Sequence, residues 1–90
     1  GIDQIIKRIV NKLGNLEKVF LTGSLAAGND SKSLDLIFVG EGLDSEYLLH
    51  LVQKSESFIS RKILFRICNQ IELELILKDK TDNFLLIWQQ

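Results

Sequence analysis

Residues 17–39 read EKVFLTGSLAAGNDSKSLDLIFV, and this stretch decides the fold. Its first part, 17–22, is short and contains the β-branched and aromatic residues that are typical of a strand. Residues 34–39 are apolar except for Asp35, which is typical of a strand that is buried on both faces. The segment 23–33 between them is rich in Gly, Ser and Asn, with an apolar cluster long enough for about one helical turn. The sequence therefore predicts two strands joined by a functional loop.

Amphipathic helices are predicted on both sides of this stretch. The first is followed by Gly14, which is predicted to supply a left-handed stop, and its apolar residues recur with the helical period: Ile2, Ile5, Ile6, Ile9, Val10 and Leu13. The second begins at a capping residue, Asp44 or Ser45, and is predicted to place six apolar residues on one face: Tyr47, Leu48, Leu51, Val52, Phe58 and Ile59.

Three further elements are predicted in the last third of the chain. Residues 61–68 alternate as a third strand. Residues 69–78 alternate like a strand, but Asn69 and Glu72 form the pattern of a helical capping box, so a helix is favoured. Asp82 is predicted to cap a final helix that holds Phe84, Leu85, Ile87 and Trp88. The predicted fold class is α/β (α+β), with a small mixed sheet of about three strands flanked by helices.

Length and composition limit this chain to one small domain over residues 1–90. Eleven Lys and Arg against twelve Asp and Glu give a net charge of −1, so no direct nucleic-acid binding is expected. The longest apolar run, 84–88, is too short to cross a membrane. The single cysteine, Cys68, permits no internal disulfide, which favours a cytoplasmic protein. The chain opens with Gly and lacks Met, so we expect it to be part of a longer protein.

The candidate site lies in the loop between the first two predicted strands. Gly23 and Ser24 end the first strand, where backbone N–H groups and a hydroxyl can contact a phosphate. Gly28 follows in the loop, and Asp35 lies on the neighbouring strand. A carboxylate there could hold the Mg²⁺ that accompanies nucleotide phosphates. The pattern therefore suits either an ordinary strand-ending turn or a site for a phosphate group with Mg²⁺.

This layout resembles the nucleotidyltransferase superfamily that contains DNA polymerase beta and the minimal nucleotidyltransferases. The resemblance covers residues 16–65, and its matching positions are Gly23, Ser24, Ala26, Gly28, Asp35 and Leu36. In that family two aspartates lie one residue apart on the second strand, and a third carboxylate usually lies on the following core strand. The resemblance therefore implies the nucleotidyltransferase fold, with Gly23, Ser24 and Gly28 at the nucleotide and Asp35 at the metal.

The chain departs from the family at the other two carboxylates. Ser33 occupies the position of the first aspartate, and residues 61–68 contain no acid. Two-metal phosphoryl transfer needs clustered anionic oxygens, which a hydroxyl does not replace. We therefore expect an inactive domain that serves a larger protein in regulation, nucleotide sensing or interaction. The alternative is an active Mg²⁺-dependent minimal nucleotidyltransferase that transfers NMP from an NTP, with Glu72 or Glu74 completing the site.

The resemblance extends to a degenerate subgroup that is fused to winged-helix transcriptional regulators. It implies a DNA-binding domain outside this chain, and a homodimer stays open as a second arrangement. Other interpretations of the same residues also stay open. Asp35 is explained as well by a partly buried acid that is paired with a backbone N–H or a lysine. The basic residues Arg61, Lys62 and Arg66 suit either an anion or a guarded sheet edge. His50 is expected to face solvent.

Overall fold

Four strands form one mixed sheet in the computed structural model, which describes residues 1–90. They are β1 (Leu16–Thr22), β2 (Ser33–Gly40), β3 (Lys62–Cys68) and β4 (Phe84–Gln89), and their spatial order is β3-β2-β1-β4. Strands β2 and β3 are parallel, and β1 is antiparallel to both β2 and β4. The predicted mixed α/β sheet is confirmed, with four strands instead of about three.

Helices cover both faces of the sheet. They are α1 (Ile2–Lys12), α2 (Gly23–Ala26), α3 (Ser45–Glu56) and α4 (Gln70–Leu77). The larger core joins α1 and α3 to one face: Ile5, Ile6, Ile9, Leu16, Val19, Leu21, Leu34, Leu36, Phe38, Leu48, Leu51, Val52 and Ile63. The smaller core joins α4 to the other face: Ile37, Val39, Cys68 and Leu73. Because side chains alternate along β2, Asp35 lies on the same face as Ile37, near its uncovered end. No helix is both long and apolar enough to cross a membrane.

The predicted first helix is confirmed, but its predicted stop is wrong. The left-handed residue is Asn15, with φ of 61°, and Gly14 does not have a positive φ. Asparagine tolerates this conformation because its short polar side chain costs little there. The turn that Asn15 makes leads the chain directly into β1.

The predicted second helix is shorter than the sequence indicated. The Asp44 side chain accepts a hydrogen bond from the Tyr47 N–H at 3.1 Å and caps α3. The helix ends at Glu56, so Phe58 and Ile59 lie beyond it, and Tyr47 and Phe58 are exposed. The predicted core face is therefore wrong for Tyr47 and Phe58, whereas Ile59 packs against the larger core from beyond the end of the helix. The buried residues of α3 are Leu48, Leu51, Val52 and Ser55.

Residues 69–78 form the helix that the capping box favoured. The Asn69 side chain accepts from the Glu72 N–H at 2.8 Å, and the Glu72 carboxylate accepts from the Asn69 N–H at 3.0 Å. Two N–H groups at the helix start are satisfied in this way. The alternating apolar pattern is explained by Leu73, which points into the smaller core, while Ile71 and Leu75 stay exposed.

The predicted final helix is wrong, because residues 84–89 form strand β4 against the outer edge of β1. Five successive apolar residues leave a helix without a polar face. In a strand the same residues serve both cores, since Ile87 and Trp88 pack on the larger one and Phe84 on the smaller one. Tertiary pairing therefore overrides the local preference.

Candidate functional site

The site forms where β1 ends beside the start of β2. Thr22 pairs with Asp35 across the two antiparallel strands, and Gly23 follows directly as the first residue of α2. Gly23 has a φ of 74°, and a Cβ atom added to it would lie 2.8 Å from the Asp35 Oδ2 atom. Glycine is needed at this position because L side chains rarely adopt that φ and because the carboxylate occupies the space. The structure therefore brings together two of the predicted site residues.

Asp35 is half-buried, and its Oδ1 atom is fully buried with no hydrogen-bond partner. It lines a depression of about 270 Å³ together with residues from β1, β2 and β3: Thr22, Leu36, Ile37, Leu64, Phe65 and Arg66. The alternative interpretation, in which Asp35 pairs with a backbone N–H or a lysine, is not supported at Oδ1, because this atom accepts no hydrogen bond. A buried carboxylate oxygen without a partner is costly, so it marks a place where a ligand would be stabilised.

Ser24 and Gly28 lie in the compact loop that follows Gly23. Ser24 is exposed in the first turn of α2, and its carbonyl oxygen accepts the Asn29 N–H at 2.9 Å. Gly28 is exposed after that turn, has a φ of 87° and has no atom within 4 Å of an added Cβ. Gly28 shapes the loop, and Ser24 is accessible at the same end of the sheet as Asp35.

Asp35 is the only acidic residue that lines the depression. Ser33 lies two residues earlier on the same face of β2, and its hydroxyl is 3.4 Å from the Ser31 hydroxyl. Glu72 is held in the capping box, and neither Glu72 nor Glu74 lines the depression. No group of three or more His, Cys, Asp or Glu side chains is placed to hold a metal ion.

Arg66, which the sequence alone suited equally to an anion or to a guarded sheet edge, lines the same depression as Asp35. In the parallel register Asp35 pairs with Leu64 and Ile37 pairs with Arg66, so all four side chains share one face. Arg66 is therefore exposed on the side of the sheet that carries Asp35. The signal was present in the alternation of residues 61–68, but locating it required the register between β2 and β3.

The other basic residues of this region are placed differently. Arg61 donates to the Asp30 carboxylate at 3.1 Å and to the Ser31 carbonyl oxygen at 3.0 Å, which holds the loop against the start of β3. The hydrogen bond from Arg61 lowers the pKa of Asp30, and the Ser31 N–H adds to this effect. Lys62 is exposed on the edge strand β3, in the position expected of a guarding charge.

The remaining residues singled out in the sequence lie outside the site. His50 is exposed on α3, as predicted. Cys68 is buried, and burial raises the pKa of its thiol. Trp88 is half-buried against the larger core through β4 and not through a terminal helix.

Comparisons with known proteins agree on the fold. No family model matches the chain. No curated protein matches it either. Among solved structures, a chain from Sulfolobus solfataricus that has been assigned as a nucleotidyltransferase superposes with a TM-score of 0.65 at 20% identity, covering 99% of this chain and 78% of that one. A chain from a toxin–antitoxin complex with AMP-PNP gives 0.71 at 19% identity, covering 98% and 73%.

A third neighbour comes from a complex of the tri-AMPylated HEPN toxin of Shewanella oneidensis with the MNT antitoxin. Its TM-score is 0.65 at 19% identity, and the match covers 98% of this chain and 69% of that one. Similarity at these identities shows a shared fold. The protein therefore has the nucleotidyltransferase-like fold that the resemblance implied.

Proposed function

We propose that this chain is a catalytically inactive nucleotidyltransferase-like module that binds a nucleotide at the end of β1. Within a larger protein it serves regulation, nucleotide sensing or interaction. The observation that supports this proposal is Asp35, a single carboxylate that packs against Gly23 with no second acid at the same depression.

The residues present suit one Mg²⁺ ion that arrives with a nucleotide. Magnesium is usually held by one or two carboxylates together with phosphate oxygens and waters, and Asp35 supplies one carboxylate. Its buried Oδ1 atom lacks a partner and would be stabilised by a cation. We propose that Ser24 and the backbone of Gly23 contact the phosphates in the loop that Gly28 shapes. Arg66 adds a positive charge at the same depression.

The proposed inactivity follows from the chemistry of two-metal transfer. Two ions about 3.5–4 Å apart need carboxylates that bridge them, and the neutral hydroxyl of Ser33 bridges them poorly. Glu72 and Glu74 lie on α4, away from the residues that line the depression, so the alternative with a glutamate as the missing ligand gains no support.

The proposed role in a larger assembly has a separate basis. Two of the structural neighbours come from toxin–antitoxin complexes, one of them with AMP-PNP, which supports both a nucleotide and a protein partner for this fold. A fused winged-helix DNA-binding domain outside this chain is the partner that the sequence resemblance implies. A homodimer is the second arrangement to be tested.

Isothermal titration with ATP, GTP and CTP, with and without Mg²⁺, tests the nucleotide site. We expect Mg²⁺-dependent binding that Asp35→Ala weakens about tenfold or more, because a bond to a charged group contributes about 1.5–3 kcal/mol. Asp3→Ala is the matched control, since Asp3 is an exposed acid on α1, across the sheet from Asp35. Ser33→Asp, which restores the family's first acid, is expected to strengthen binding.

Two results would overturn parts of this proposal. Absence of binding for all three nucleotides, in the original chain and in Ser33→Asp, would remove the nucleotide site. Mg²⁺-dependent release of pyrophosphate from an NTP with transfer of the nucleotidyl group, lost in Asp35→Ala, would refute inactivity and establish the active minimal nucleotidyltransferase instead.

A further inference from the structure

A groove of about 360 Å³ lies between α1 and α3, on the face of the sheet opposite Asp35. Its floor is formed by Ile9 and Leu51, which belong to the larger core. Arg8 and Lys12 rise from α1 on one bank, and Lys54 rises from α3 on the other. The groove is therefore apolar at its base and positively charged on both sides.

The positive charge of this groove is not balanced within the chain. None of its lining residues is acidic. The only ion pair in the structure joins Arg61 to Asp30, so Arg8, Lys12 and Lys54 have no acidic partner. The net charge of the whole chain is only −1, so the excess of three cations is confined to the groove and does not reflect a basic protein. Cations held around a concave, partly apolar surface raise the local potential and attract an anionic partner.

An exposed aromatic ring closes one end of the groove. Phe58 lies just beyond α3 and is 63% exposed, and its N–H donates to the Ser55 carbonyl oxygen at 3.0 Å. The guanidinium of Arg8 stands 4.5 Å from the centre of the Phe58 ring, within the range of a cation–π interaction. This contact places the cation over one face of the ring at the mouth of the groove.

The spacing of the charges distinguishes between classes of anion. Arg8 and Lys12 are one helical turn apart, about 6 Å along α1, and Lys54 faces them across the apolar floor. A single phosphate reaches one bank and leaves the other bank and Phe58 free. A helix with carboxylates one turn apart matches the α1 bank, and its apolar side chains can pack beside the exposed Phe58 ring, because Ile9 and Leu51 beneath it are already buried.

We propose that the groove between α1 and α3 binds an acidic, amphipathic helical segment of a partner protein. Its carboxylates pair with Arg8, Lys12 and Lys54, and its apolar face covers Phe58. Because this groove and the Asp35 depression lie on opposite faces of the sheet, the partner site is independent of the proposed nucleotide site.

The test uses fluorescence anisotropy with a labelled synthetic peptide of about 15 residues, in which Leu recurs with the helical period and Glu fills the exposed positions. A scrambled peptide of identical composition has no apolar face. We expect the amphipathic peptide to bind the chain at least about tenfold more tightly than the scrambled one. The double reversal Lys12→Glu/Lys54→Glu is expected to weaken binding about tenfold or more, because like charges then face each other.

The matched control is Lys78→Glu/Lys80→Glu, which makes the same change in net charge on two exposed lysines after α4. It is expected to leave binding within about threefold of the original. Phe58→Ala is the second variant, since truncation of this exposed ring leaves the core unchanged, and it too is expected to weaken binding.

The proposal would be overturned if the two peptides bound equally, or if the control reversal weakened binding as much as the groove reversal did. It would also be overturned if inorganic phosphate or ATP bound with sensitivity to Lys12→Glu/Lys54→Glu while the peptide did not. In that case the groove would be a site for a small anion.

Discussion

Replacing Gly23 with alanine tests how closely Asp35 is held against the end of β1. The residue has a φ of 74°, and this left-handed conformation costs an L residue about 1–2 kcal/mol. The new Cβ atom would lie 2.8 Å from the Asp35 Oδ2 atom, and its cost is at the low end of overpacking, about 1 kcal/mol, because this oxygen is the end of a side chain that can rotate away. We expect Gly23→Ala to lower the free energy of unfolding by about 2–3 kcal/mol, as the sum of the two contributions.

Two companion variants separate the backbone strain from the contact with Asp35. Gly28 has a φ of 87° and open space around it, so Gly28→Ala is expected to cost only the strain, about 1–2 kcal/mol. In an Asp35→Ala background, Gly23→Ala should likewise cost only the strain. The double-mutant cycle between positions 23 and 35 is therefore expected to give a coupling energy of about 1 kcal/mol.

Urea unfolding of the single and double variants, followed by circular dichroism and by Trp88 fluorescence, measures these free energies. Asp35→Ala alone is expected to cost little, because the carboxylate that it removes has a buried oxygen without a partner. The reasoning is refuted if Gly23→Ala and Gly28→Ala destabilise equally, or if the cycle is additive within about 0.5 kcal/mol.

Three further predictions concern the turn before β1, the start of α4 and the loop before β2. Gly40→Ala is expected to lower the free energy of unfolding by about 1–3 kcal/mol, because the new Cβ atom would clash with the backbone carbonyl oxygen of Asn15. Urea unfolding measures this change, and Gly14→Ala is the control, because a Cβ atom at Gly14 has open space around it. Asn69→Ala is expected to cost about 1 kcal/mol in thermal unfolding, through loss of the capping box. Arg61→Ala is expected to raise the pKa of Asp30 toward 3.8 in an NMR titration. Since the folded pKa is lowered, this pair stabilises the fold above the unfolded pKa and loses its effect as the pH falls through the folded pKa.

Each of these has a contrary result. Equal destabilisation by Gly40→Ala and Gly14→Ala would show that the close approach is relaxed in solution. Unchanged stability in Asn69→Ala would mean that the capping bonds contribute nothing net. An unchanged pKa of Asp30 in Arg61→Ala would place the cause of the shift in the neighbouring backbone N–H.

The parts of the fold that the sequence predicted correctly are those with local signals. The first two strands are bounded by a Gly-Ser turn, and α4 is marked by a capping box four residues long. The sequence predicts a helix in place of β4 because the partner strand, β1, lies far away along the chain and leaves no local signal. The sequence predicts an α3 that is too long because apolar residues continue past Glu56 into a turn.

The candidate site was predictable in its members but not in its environment. The sequence pattern predicts that Gly23 and Asp35 lie close together, because β1 and β2 follow each other in the chain and pair as antiparallel neighbours. The unpartnered Oδ1 of Asp35 depends on which side chains surround it, and the presence of Arg66 depends on the parallel register of β3. Both are properties of the assembled sheet.

The sheet order also determines when this sheet can be completed. Strand β1 lies in the interior of the sheet, yet its two neighbours are made at very different times: β2 follows it closely, whereas β4 comes only after α3, β3 and α4. During synthesis one edge of β1 stays unpaired until residues 84–89 have left the ribosome, and such an open edge can pair with other chains. Closing the long loop between β1 and β4 therefore slows completion of the sheet, and the edge of β1 stays open to other chains until β4 pairs with it.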